Sequence, residues 1–92
     1  MTTTEMLTAL TYSQNLNVRT IACDILMGLD TIEHQKTICG KFLQNVFEGK
    51  YEDAFRVADN YNKHAFLRFL FDMQEDEKAG NLIKQTGFKY RR

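Results

Sequence analysis

The stretch YEDAFRVADNYNKHAFLRFLFDM, residues 51–73, decides how the second half of the chain folds. Both of its halves have helical spacing. In the first, Tyr51, Ala54, Phe55, Ala58 and Tyr61 share one side, opposite Glu52, Arg56 and Asp59. In the second, Phe66, Leu67, Phe69, Leu70, Phe71 and Met73 crowd an arc of about 200° and leave His64, Ala65, Arg68 and Asp72 for water. One continuous helix would turn the apolar centre by roughly 140° between the halves, and no straight helix can bury such a surface on one side. The stretch therefore reads as two helices broken at residues 60–62. Asn62, whose side chain can accept from a free amide, is the expected cap of the second.

Working outward, the same spacing recurs on either side. Before the stretch, Asp30 and Glu33 in DTIE have the spacing of a capping box. Ile32, Ile38, Cys39, Phe42, Leu43, Val46 and Phe47 then form one face of a long helix that Gly49 can stop. Gln35 falls inside that face and needs a hydrogen-bond partner if buried. Further upstream, Asn17 is the expected cap of a helix whose Val18, Ile21, Ala22, Ile25, Leu26 and Leu29 face the core. The first helix is expected to start from Thr3 or Thr4 and to bury Met6, Ala9 and Leu10. After Met73, QEDEKAGNLIKQTG predicts a last short helix closed by Gly87.

With no proline in the chain and apolar residues spaced at three and four, the expected fold is all-α: a compact bundle or orthogonal array of five to six short helices, without strands. Residues 1–87 read as a single helical domain and residues 88–92 as a basic-aromatic tail. A chain of 92 residues buries only about 60 to 65% of its unfolded surface, so association is a common supplement to its stability.

Twelve basic residues balance twelve acidic ones, which excludes the long-range field of a general nucleic-acid binder. No apolar run approaches the roughly 18 residues of a membrane span, and the start MTTTEMLTAL lacks a basic leader, so a cytoplasmic protein without membrane contact is expected. Cys23 and Cys39 read as reduced thiols in such a compartment. Together with His34 and His64 they lack the paired spacing of a zinc site, and no metal or other cofactor is expected. Nucleophile elbows and glycine-rich phosphate cradles are also missing, which argues against an enzyme. The stretch IACDILMGLDTIEHQKTI places its turn glycine about two residues late for a helix-turn-helix counted from Ile21 and Ala22.

What remains is a small interaction protein: an adaptor, inhibitor or regulator of bacterial or phage type that binds a larger protein or a second copy of itself. Its expected contact is the edge of the aromatic arc, Leu67 and Phe71 with Arg68 alongside, a composition typical of interface anchors. The alternative partner is nucleic acid. From Lys78 onward every charged residue is basic, and Lys84, Phe88, Lys89, Tyr90, Arg91 and Arg92 set stacking rings beside phosphate-seeking charges. That few cations on a neutral chain give only modest phosphate affinity.

Overall fold

The computed structural model of the protein describes residues 2–72 together with Asn81 and Lys84. Six helices follow one another among the described residues: α1 (Thr3–Leu10), α2 (Leu16–Leu26), α3 (Ile32–Lys36), α4 (Lys41–Phe47), α5 (Tyr51–Val57) and α6 (Asn60–Asp72). They form a compact all-α bundle in which no described residue is in a strand. The expected last helix and the tail lie outside the described residues, apart from Asn81 and Lys84, which are helical.

The short α1 is the hub, packing against α2, α4 and α6. Thr2 caps it, one residue before the expected Thr3. Its hydroxyl accepts from the Glu5 amide while the Glu5 carboxylate accepts from the Thr2 amide, a complete capping box. Met6, Leu7, Ala9 and Leu10 are all buried, because neighbours cover the helix on several sides.

 The buried set on α1 is thus Met6, Leu7, Ala9 and Leu10, half of the helix. Met6, Leu7 and Leu10 join Val18 and Ala22 of α2, Leu43, Val46 and Phe47 of α4, Ala54 of α5, and Phe66, Leu67 and Leu70 of α6 in one core.

The expected break in residues 51–73 is present, displaced by about two residues. Ala58 is extended at φ −70° and ψ 146°, which ends α5. Asp59 then caps α6, its Oδ1 accepting from the Asn62 amide at 2.8 Å. Asn62 is therefore not the cap. It sits in the first turn, almost fully buried, and its Oδ1 accepts from the Ser13 hydroxyl at 2.7 Å. The Asn15 amide donates from Nδ2 to Asp59 Oδ2, and Asn15 Oδ1 accepts from the Val18 amide, so Asn15 takes the capping role expected of Asn17. The caps of α2 and α6 are thereby bonded to each other, with the Ser13 hydroxyl accepting from the Asn15 amide beside them. One turn further along the same face of α6, the Phe66 ring meets the Phe55 ring edge to face at 6.0 Å between centroids.

The long helix expected from Asp30 to Gly49 is two helices. Thr31, not Asp30, caps α3 by accepting from the His34 amide. The backbone leaves helical geometry after Thr37 and resumes at Gly40, extended at ψ −179° and acting as the N-cap of α4. Glycine inside a helix costs about 1 kcal/mol relative to alanine, so a break there is the cheaper arrangement. Gly49, at φ 77°, closes α4 as expected, with the Gly49 amide donating to Val46 and the Lys50 amide to Asn45.

The Ser13–Asn62 bond is buried, so Asn62→Ala and Ser13→Ala should each cost about 1–3 kcal/mol in urea unfolding. The double variant should cost clearly less than the sum, because the two changes remove one bond. Strictly additive losses would show that the bond does not couple the two segments.

Candidate functional site

The end of α2 is where local sequence turns apolar side chains away from the core. Gly28, at φ 77°, terminates the helix: its amide donates to the Ile25 carbonyl at 3.1 Å, and the Leu29 amide donates to the Asp24 carbonyl at 2.8 Å. This is the paired bonding of a Schellman motif, in which the residue after the glycine usually packs on the residue three before the cap. Here that earlier residue is Asp24, which offers Leu29 no apolar partner. Leu29 is left 71% exposed, beside Met27 at 71% and Leu26 at 40%. The expectation that Leu26 and Leu29 face the core is thus corrected: the helix stops before its apolar stripe is complete.

Ile38 lies in the break between α3 and α4, and its backbone is linked to the segment after Leu29 through Gln35. The Ile38 amide donates to the Gln35 carbonyl, and Gln35 Nε2 donates to Asp30 Oδ2 at 2.7 Å, directly after Leu29 in the chain. Ile38 is 65% exposed, although its spacing placed it in the core face of one long helix. Gln35 is buried as its position predicted, and it has the partner it needs on Nε2. Its Oε1 has none among the described residues.

Asp30 holds the loop beneath this patch. Besides Gln35, its Oδ1 accepts from the Thr31 amide at 2.7 Å and stands 2.8 Å from His34 Nδ1. The Gln35 amide first, then the Thr31 amide and His34, hold the Asp30 carboxyl below the ordinary carboxylate range. Nearby, desolvation raises the Cys39 thiol, keeping it neutral, and Cys23 and Cys39 are unpaired. Among the described residues no three His, Cys, Asp or Glu side chains are grouped to hold a metal ion, and no helix is long and apolar enough to cross a membrane.

The residues expected at an interface separate. Leu67 is 5% exposed and belongs to the chain's own core, because α6 is flanked by both α1 and α5 and its wide apolar arc is covered from two sides. Arg68 is exposed and lines the cleft between α1 and α6. The Phe71 side chain lies outside the described residues, as do Phe88, Lys89, Tyr90, Arg91 and Arg92; Lys84 is exposed. The exposure of Leu26, Met27, Leu29 and Ile38 was not expected from periodicity. Gly28 and Gly40 were the signals that could have found it, since each can end or open a helix.

Comparison of the chain with protein-family models, with curated proteins and with solved structures finds no match in any of the three.

Because folding lowers the Asp30 pKa, the folded state releases that proton more readily than the unfolded chain. The resulting stability is present above the ordinary aspartate value and is lost as pH falls through the lower folded value. Asp30→Asn should therefore flatten the loss of urea stability below about pH 4 relative to the parent protein. Parallel pH profiles for the two proteins would contradict this role.

Proposed function

We propose that this chain is a small non-enzymatic interaction module that acts by binding a larger protein. The observation that carries the reading is the apolar end formed by Leu26, Met27 and Leu29. Scattered exposed side chains such as Leu16 and Val57 are ordinary on a small protein, but three large apolar residues exposed within four positions at the end of one helix, Leu26, Met27 and Leu29, are typical of surfaces that another protein covers. The backbone presenting them is held by the Gly28 turn and the Asp30 bonds, which lowers the ordering cost of an encounter. Residues that are already positioned make better contacts than a floppy loop of the same composition.

The patch also suits the composition of a protein partner better than that of nucleic acid, whose phosphates call for cations. A role for Lys84 and the residues 88–92 on nucleic acid is the competing reading, and it uses a different part of the chain.

The test is affinity capture from the source cells with the parent protein and with the Met27→Asp, Leu29→Asp double variant. Both substituted side chains are largely solvent-exposed, so helical circular dichroism and the unfolding midpoint should change little. The expected result is a stoichiometric protein partner held by the parent and reduced at least tenfold with the variant. Equal capture by both proteins would reject the patch, and material removed by nuclease would favour the tail.

A further inference from the structure

The cleft between α1 and α6 has a character distinct from the apolar end. It consists of two adjoining depressions of about 290 and 340 Å³ that share Tyr12, His64 and Arg68. The first has Ala9 and Ala65 in its wall, two small side chains that leave room for a ring or branched side chain, with Phe69 beside them. The second extends toward Tyr61 and Gln14. Tyr61, His64 and Arg68 lie at i, i+3 and i+7, one stripe along α6.

Among the described residues, the charge lining the cleft is of one sign. No carboxylate among the described residues lines either depression, on a chain whose acids and bases are equal in number. Arg68 makes no ion pair or hydrogen bond among the described residues. The acid at the start of α6, Asp59, is already engaged by the Asn62 backbone amide and the Asn15 side chain. An exposed guanidinium between tyrosine and imidazole groups presents several donors to an incoming anion and ring faces to its neighbour.

We propose that this cleft binds an acidic peptide segment of a partner protein, one carboxylate seated on Arg68 and an adjacent aromatic or aliphatic side chain over Ala9 and Ala65. Single-stranded nucleic acid would use the tyrosines but would find, among the described residues of the cleft, only one permanently charged group for its phosphates. An open, elongated cleft also fits an extended segment better than an enclosed small molecule. The proposal rests on the chain being an interaction module, but it uses a surface separate from the Leu29 patch.

The experiment is a nitrogen-15 NMR titration of the full chain with a synthetic peptide of alternating glutamate and phenylalanine. A lysine–phenylalanine peptide and oligodeoxythymidine serve as comparisons. The expected result is that the acidic peptide shifts the amides of Tyr12, Gln14, Tyr61, His64 and Arg68, and that Arg68→Gln weakens binding about tenfold or more without changing the circular dichroism. Asp72→Asn removes the only carboxylate within four residues of Arg68 in sequence and should leave the affinity equal or higher. The Met27→Asp, Leu29→Asp protein should bind the peptide like the parent, which separates failure of this cleft from failure of the patch. Unchanged binding by Arg68→Gln, equal binding of the lysine peptide, or stronger shifts with oligodeoxythymidine would overturn the proposal.

Discussion

The hydrogen bond from Ser13 to Asn62 joins positions 49 residues apart, and the arrangement of α1, α2 and α6 depends on it. A buried amide at the start of α6 would be costly without a partner, so the α1–α2 turn must be brought to it. Asn15 and Asp59 complete the same junction, each capping its own helix while bonding to the other. Local helix-start chemistry and long-range packing are therefore satisfied by one group of four side chains. Phe66, one turn beyond Asn62, is consequently directed into the core, where it meets Phe55.

With that junction fixed, the two ends of the bundle differ in what they leave uncovered. At the end of α2, the Gly28 turn halts the helix while its sequence is still apolar, and Leu29 and Met27 emerge into solvent. Along α1 and α6 the opposite happens: Met6, Leu7, Leu10, Phe66, Leu67 and Leu70 are used internally, and one stripe of α6 carries tyrosine, histidine and arginine. An apolar surface supplies affinity through burial, whereas a polar, cationic cleft supplies orientation and selectivity. The proposed interaction role draws on that division.

Much of the fold is legible in the sequence because helical periodicity reports which side of a segment is apolar. Met6, Ala9, Leu10, Val18, Ala22, Leu43, Val46, Phe66 and Leu70 are in the core for that reason, and the phase shift within residues 51–73 marks a real break. Periodicity does not report what covers the apolar side. Leu29 and Ile38 keep the correct spacing and are exposed because Gly28 and Gly40 interrupt their helices, while Leu67 lies at the edge of its arc and is buried because two helices flank α6. The caps show a similar limit. Asp59 and Asn62 are both good cap residues, and the choice between them is made by Ser13, which no local reading of residues 51–73 contains.

The most direct measurement of this account is native-state hydrogen exchange at the Asn62 and Val18 amides, which donate to the Asp59 and Asn15 caps. First-turn amides commonly exchange through local fraying, but these two belong to the junction that ties the helices together. They should exchange only with global unfolding, at the same free energy as the Phe66 amide in the core. Exchange of Asn62 and Val18 orders of magnitude faster than Phe66 would mean that the junction opens on its own and does not hold the bundle.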